Sequence, residues 1–252
     1  MDNRYTHKAL TTAAMLSAAA LAVGTLGGCR QEASAGSTAS TSESSVAAAL
    51  AAADAYRTLH DAFGDQLWHD LAEGTPEAQA SLDAALADAQ PKINKLIEAT
   101  RAQSVDWSSH TNQGDAPAIP LHVDHMREFA RLLHADARRL GTNNDHQASA
   151  ERVAAAVRLC GHVGQDTTLE GLTALSLLGS TASFTLQHSQ DWNPSQRTIV
   201  RTEFEAINQA DPLSGSAILA AADNAPESDK ANLERAQQGV IQITRKAIDA
   251  LK

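Results

Sequence analysis

Three residues near the middle of the chain have the types and spacing of metal ligands. His122, His125 and Glu128 follow one another at intervals of three, which places neighbouring side chains along one side of a helix. Imidazole nitrogens and carboxylate oxygens are common ligands of zinc and of other transition metals. One interpretation of this segment is therefore a metal site.

The competing interpretation is one buried, hydrogen-bonded histidine and two solvated residues. His122 falls on the same helix face as Met126 and Phe129, whereas Glu128 lies well round the helix. A metal site also needs converging ligands and supporting hydrogen bonds, which nothing in this pattern specifies. We favour the second interpretation, so the sequence predicts no bound metal and no other cofactor.

A second set of polar residues, Asp61, Asp65 and His69, repeats at intervals of four. If Gly64 leaves the helix intact, these side chains line one face and could bind a cation. Carboxylates four residues apart are routine on solvated helix surfaces. We therefore expect a solvated acidic face here.

Motifs of the common catalytic classes are missing from the sequence, including the G-x-S-x-G elbow, the Gly-rich phosphate loop, H-E-x-x-H and C-x-x-C. Cys160 lies in an apolar helical pattern and is expected to be a small buried side chain, not a reactive thiol. His162 lies near the end of the same helix, where the helix dipole favours a protonated imidazole. Trp68, Trp107 and Trp192 fall near helix ends, where they could line a groove; we expect them to pack over the bundle with their indole N–H groups hydrogen-bonded. The sequence predicts no catalytic residue.

The elements that must position these residues are helices. Past residue 45, Ala and Leu dominate, apolar residues recur at intervals of three and four, and strand-like alternation is missing. The fold class is therefore all-α, a helical bundle or a stack of αα-hairpins with no β-sheet. The Thr167-Thr168-Leu169-Glu170 segment has the form of a capping box and opens a helix with a single charge, which we expect to be the central core helix. Predicted helices cover residues 46–63, 66–72, 76–97 with a break at Pro91, 120–140, 146–163, 168–187, 194–207, a short stretch from 211, and the chain from 226 onward.

The predicted helices at 120–140 and 146–163 are joined by a short polar turn. Over about residues 120–164 this pair resembles a helical hairpin of the tetratricopeptide family, in which small residues stand where helices cross. Ala137 and Ala156 could fill two such places, although Leu133 and Ala137 replace the early aromatic and glycine of the motif. No period of about 34 residues recurs elsewhere. The resemblance implies an αα-hairpin and a right-handed helical stack.

The charge balance argues against nucleic acid as a partner. The chain has 20 Lys and Arg against 30 Asp and Glu, a formal net charge of −10, and it contains no long basic run. Binding to phosphate backbones requires clustered positive charge.

The N-terminal segment has the composition of an export signal. Arg4 and Lys8 precede an apolar, alanine-rich run over residues 9–23, and small residues follow up to Cys29. A charged region, an apolar region and a small-residue cleavage zone in this order are typical of a secretory signal peptide. An uncleaved transmembrane anchor is a weaker alternative, because it would need about 20 apolar residues.

The end of this segment, Leu26-Gly27-Gly28-Cys29, resembles the lipobox of bacterial lipoproteins. In that family the cysteine is lipidated and becomes the new N-terminus. The resemblance implies that residues 1–28 are removed, that Cys29 carries the lipid, and that the protein is anchored to a membrane on the extracytoplasmic side of the bacterial cell envelope. An ordinary signal peptide remains the other interpretation, because glycine before Cys29 suits either scheme.

Residues 29–45 are expected to form the lipidated cysteine and a disordered linker rich in Ala, Ser and Thr, because this composition buries too little apolar surface to fold. Residues 46–252 then form a single all-helical domain, large enough to fold without disulfides.

Together these expectations describe a membrane-anchored lipoprotein with a non-catalytic binding or scaffold role. Its partners would be the membrane, through the lipid on Cys29, and a protein or peptide. The alternative is an exported metal-dependent enzyme or metal binder that uses His122, His125 and Glu128.

Overall fold

Helices make up almost all of the chain that the computed structural model describes, which comprises residues 39–73, 76–107, 121–163, 168–209 and 227–252. These ranges contain no β-strand, so the all-α prediction is confirmed. A short 3₁₀ helix, Ser189–Asp191, follows the helix that ends at His188. The α-helices are α1 (Ala39–Phe63), α2 (Asp65–Glu73), α3 (Pro76–Asp88), α4 (Gln90–Ala99), α5 (Leu121–Thr142), α6 (His146–His162), α7 (Thr168–His188), α8 (Pro194–Gln209) and α9 (Glu227–Ala250).

The predicted helical hairpin is the pair α5 and α6. Asn144 adopts a left-handed backbone with φ of +62° in the turn, a conformation that asparagine tolerates. Asp145 then caps α6, because its carboxylate accepts a hydrogen bond from the backbone N–H of Ala148 at 3.1 Å. The two helices pack against each other along their length. The αα-hairpin is thus confirmed, whereas the family resemblance stays a prediction.

The core is centred on α6 and α7 together. Helix α6 packs against α5, α7 and α8, and α7 packs against α9, α6 and α5. The small residues of α6 allow its neighbours to approach closely: Ala150, Ala154, Ala155 and Ala156 are all buried. On α7, the side chain of Val240 in α9 lies so near Gly179 that an added Cβ atom would meet it at 3.3 Å. The helix expected to be central therefore shares that position with α6.

Helix boundaries follow local chemistry at several predicted positions. Gly64 adopts φ of +79°, a conformation that glycine adopts without strain, and it ends α1 before α2 begins. Pro91 lies in the first turn of α4, where its missing N–H costs nothing, and it separates α4 from α3. Asn193 caps α8 reciprocally with Gln196: each side chain accepts from the other's backbone N–H, at 3.0 and 2.8 Å.

Helix α1 begins at Ala39 and not near Val46. The end of the segment expected to be a linker is therefore helical. Extending an existing helix fixes one residue at a time and adds one backbone hydrogen bond each time, which favours growth beyond the packed part. Residues 45–48 of this helix are exposed.

A buried ionic network joins α4, α5 and α6. Asp136 is fully buried, and its carboxylate accepts hydrogen bonds from Arg152 at 3.0 Å, from Arg139 at 2.7 Å and from Gln90 at 2.9 Å. Arg152 also donates to the Gln90 side-chain oxygen at 2.9 Å. A buried carboxylate with several charge-assisted hydrogen bonds fixes how the three helices meet.

The last helix packs against the rest of the bundle. Leu233, Gln237, Val240, Thr244 and Ala247 of α9 are buried, and α9 packs mainly against α7. The predicted signal segment, Cys29 with the first part of the linker, residue Thr167 of the capping box and the short helix from residue 211 lie outside the described residues.

Candidate functional site

A stack of three aromatic rings joins α1, α2 and α5, and we call it the His60 stack: Trp68, His60 and His125, with Glu128 at its edge. The His60 ring lies between the other two, with centroid distances of 3.6 Å to His125 and 4.9 Å to Trp68 and interplanar angles of 14° and 11°. His60 Nε2 donates a hydrogen bond to Glu128 Oε2 at 2.5 Å. The site is partly accessible, because the side chains of His60 and Glu128 are 18% and 32% exposed.

The fold brings these residues together through the turn at Gly64. His60 lies in the last turn of α1, the left-handed Gly64 separates α1 from α2, and Trp68 in α2 stacks on His60. His125 and Glu128 lie one turn apart on α5. Phe129 of α5 contacts both His60 and Trp68 edge-on, with ring centroids 5.9 Å away, and so supports the stack from the core side.

Burial and neighbouring charges set the protonation of His125 in the stack. Burial lowers the pKa of His125, and His60 lowers it further, while the carboxylates of Glu128, Asp61 and Asp124 partly oppose the shift. His125 is therefore neutral at pH 7. His60 lies between two carboxylates, since its Nδ1 is 3.9 Å from Asp61 in addition to the bond with Glu128.

The geometry of the stack does not suit a single metal ion. An imidazole nitrogen binds a metal in the plane of its own ring, at about 2.0–2.1 Å. Because the rings of His60 and His125 are nearly parallel and 3.6 Å apart, their nitrogens direct their lone pairs along separate planes. Within the ranges described, no group of three or more His, Cys, Asp or Glu side chains could hold a metal ion.

His122, the first member of the proposed metal set, faces a different partner. Its Nε2 lies 2.9 Å from Glu170 of α7, and both side chains are buried, with exposures of 2% and 3%. The Trp107 ring stacks on the imidazole at a centroid distance of 4.5 Å and an angle of 9°. His122 Nδ1 is buried and has no hydrogen-bond partner among the described residues. The structure therefore does not bring His122 together with His125 and Glu128.

The competing interpretation of that segment is correct in one part and wrong in the other. His122 is the buried, hydrogen-bonded histidine that the pattern predicts. His125 and Glu128, however, are not simply solvated, because α1 supplies His60 to contact both. The sequence pattern of α5 alone contains no information about this tertiary partner.

His162 has a structural role different from the one expected at a helix end. Its Nε2 lies 2.9 Å from the carbonyl of Ala102 and must donate, so its Nδ1 accepts from the Tyr56 hydroxyl at 2.7 Å. Burial lowers the pKa of His162 and raises that of Tyr56. The imidazole is therefore neutral at pH 7, and the expectation of a protonated ring at the dipole is wrong, since desolvation outweighs the dipole.

The remaining candidates lie apart from the His60 stack or on the surface. Asp61, Asp65 and His69 are all exposed, as expected of a solvated face, and Gly64 separates Asp61 from the other two. Cys160 is buried, its thiol donates to the Ala156 carbonyl at 3.2 Å, and burial raises its pKa to about 12. The prediction that Cys160 is a small buried side chain is therefore confirmed, and its raised pKa disfavours the reactive thiolate.

The tryptophans divide into three cases. The indole N–H of Trp107 donates to the His162 carbonyl at 2.7 Å, as predicted. The indole nitrogen of Trp68 is buried without a hydrogen-bond partner in the described part of the chain, contrary to the prediction. Trp192 is buried and lines a cavity at the far end of α5.

Comparison with known proteins identifies no match for this chain. No protein-family model matches this chain, no curated protein is similar to it, and no solved structure matches it. In the described ranges, no helix combines the length and the apolar character needed to span a bilayer.

Proposed function

We propose that this protein is a bacterial lipoprotein whose helical domain has a non-catalytic binding or scaffold role on the extracytoplasmic side of a membrane. The lipid on Cys29 would provide the membrane attachment. The observation that carries the proposal is the order of a charged segment, an apolar segment and Leu26-Gly27-Gly28-Cys29 at the start of the chain.

The use of buried polar groups supports a scaffold in preference to a catalyst. His122 with Glu170, and Tyr56 with His162, bridge pairs of helices from buried positions. The network around Asp136 joins α4, α5 and α6 in the same way. Groups bonded to one another in the interior contribute to the specificity of the fold and are not directed at a substrate.

The surface suggests what kind of partner such a scaffold would bind. Among the described residues, Val46 is the one large hydrophobic side chain that is exposed, at 51%. A protein or peptide partner that binds the described surface would therefore be recognised by polar and charged contacts. An extended apolar docking surface would expose more large hydrophobic side chains. The acidic balance of the chain disfavours nucleic acid.

Metabolic labelling with a fatty acid tests the anchor. The chain has two cysteines, which provide a matched pair of variants. Wild type and Cys160→Ala should incorporate the label, because Cys160 is buried in α6 and lies outside the lipobox. Cys29→Ser should lose the label and leave the membrane fraction. Retention of the label by Cys29→Ser would refute the proposal.

A further inference from the structure

A cavity of about 220 Å³ lies where the end of α5 meets the start of α6 and the end of α7. Its lining includes Arg138, Thr142, His146, Ser149, His188 and Trp192. This volume is below the ~300–1,000 Å³ of pockets for drug-sized ligands, so only a small molecule fits. The residues that line it are mostly hydrogen-bond donors or can become cationic.

Arg138, an exposed residue, is the main cation at the cavity, and its guanidinium packs on an aromatic ring. Its guanidinium lies over the Phe184 ring of α7, 6.0 Å from the centroid. Arg139, the next residue, forms an ion pair with Asp136, whereas Arg138 forms no ion pair within the described residues. Its five N–H donors are therefore available to a ligand.

His188 lies beside Arg138 and is oriented by the same aromatic ring. Its imidazole packs against Phe184 at a centroid distance of 4.3 Å. Burial and the charge of Arg138 lower the pKa of His188, whereas Asp191 raises it. Asp191 is the acidic residue in the cavity lining, and it does not form a salt bridge with Arg138. The cavity thus places a guanidinium and an imidazole next to each other with one nearby carboxylate.

We propose that this cavity binds a small oxyanion, a carboxylate or a phosphate, with Arg138 as its principal ligand-binding residue and His188 as a second donor. The planar fork of arginine matches two oxygens of either group at once, which a lysine cannot do. The Ser149 hydroxyl lies in the same lining and can donate to a remaining oxygen, whereas the Thr142 hydroxyl donates to the Arg138 carbonyl at 3.0 Å. This assignment extends the proposed binding role by naming a ligand class, and it rests on that role but not on the lipid anchor.

Calorimetric titration of the protein purified from membranes, in a nonionic detergent at fixed ionic strength, tests the assignment. Inorganic phosphate and succinate are titrated separately, and the anion that binds identifies which oxyanion the cavity selects. Arg138→Gln should weaken binding at least about tenfold, the lower end of what a charge-assisted hydrogen bond contributes. Arg131→Gln is the matched control, since Arg131 is exposed on the same helix and does not line the cavity; its affinity should stay within about twofold of wild type.

Arg138→Lys keeps the assay interpretable if the glutamine variant fails to fold, because it retains the charge and removes the fork. It should bind more weakly than wild type with an unchanged circular dichroism spectrum. The assignment is overturned if neither anion binds below about 10 mM, if Arg131→Gln weakens binding as much as Arg138→Gln, or if Arg138→Lys binds as tightly as wild type. Cys29→Ser should retain the anion affinity, and Arg138→Gln should retain the fatty-acid label, so failure of one proposal is distinguishable from failure of the other.

Discussion

Acidification should destabilise the domain through His134, which lies between α5 and α7. The Thr181 hydroxyl donates to the Leu177 carbonyl at 2.8 Å, so its oxygen accepts from His134 Nε2, 3.1 Å away. The imidazole also stacks on Phe184 at 5.0 Å and 9°. Burial, followed by the charges of Arg138 and His188, lowers the pKa of His134 to about 4. The folded protein therefore holds this ring neutral.

The sign of the effect follows from proton binding. The ordinary pKa of histidine is 6.5, so between that value and about 4 the unfolded chain binds a proton that the folded chain does not. The contribution of His134 to stability is present above pH 6.5 and is lost as the pH falls through this interval. Each pKa unit corresponds to about 1.4 kcal/mol, so acidification from pH 7 to about pH 5 should remove about 2 kcal/mol. That is a large part of a typical unfolding free energy of about 5–15 kcal/mol.

Urea unfolding at a series of pH values, with wild type and His134→Gln compared, measures this contribution. Glutamine keeps an N–H donor for Thr181 but cannot be protonated, so the variant should lose about 2 kcal/mol less between pH 7 and pH 5. His125 and His162 also have lowered pKa values, and neither is among the charges that act on His134, so they should affect both proteins equally. Above pH 7 the two stability curves should run parallel. Equal losses on acidification in wild type and variant would refute the assignment to His134.

Two further substitutions test the interior polar groups, each by chemical denaturation. Asp136→Asn should destabilise the domain by about 3–5 kcal/mol, because it leaves the buried guanidinium of Arg152 without its carboxylate. The control Asp88→Asn, at an exposed position, should change the free energy of unfolding by no more than about 0.5 kcal/mol. Similar losses of stability in both variants would contradict the role of the network. Trp107→Phe removes a hydrogen bond made at 2.7 Å, whereas Trp68→Phe removes a buried N–H that has no acceptor in the described residues. Trp107→Phe should therefore be the more destabilising of the two by about 1–2 kcal/mol. If Trp68→Phe is the more destabilising, this reasoning is contradicted.

Much of the fold could be predicted because its signals are local. The break at Pro91, the cap at Asn193 and the left-handed turn at Asn144 depend on backbone chemistry within a few residues. The buried faces of α5 and α9 follow from apolar spacing in the same way. The early start of α1 could not be read from composition, because the polar residues there neither favour packing nor forbid helix.

The His60 stack could not be predicted from α5 alone, because His60 comes from α1 and Trp68 from α2. The sequence indicates only that each histidine lies beside an apolar helix face. His60 follows Leu59 and His125 precedes Met126, and both of these apolar neighbours are buried. Residues flanking two core faces often meet at the rim where those faces join. That inference requires knowing that α1 and α5 pack together, which is a tertiary fact.

The pairing of His122 with Glu170 was within reach of the sequence. Glu170 is the single charge of an apolar helix, and His122 lies on an apolar face of another, so each needed a buried partner. The capping-box pattern gives Glu170 a local hydrogen-bonding role, so it does not indicate the longer-range pair with His122. A cap residue and a buried ion-pair partner have the same local sequence signature, and only packing distinguishes them.

The intact mass of the mature protein, purified from membranes, tests the proposed function most directly. The proposed lipoprotein should give a chain that begins at Cys29, lacks residues 1–28 and carries the added mass of lipid on that residue, with Cys160 unmodified. A mature chain that begins elsewhere, or one that begins at Cys29 without lipid, would contradict it.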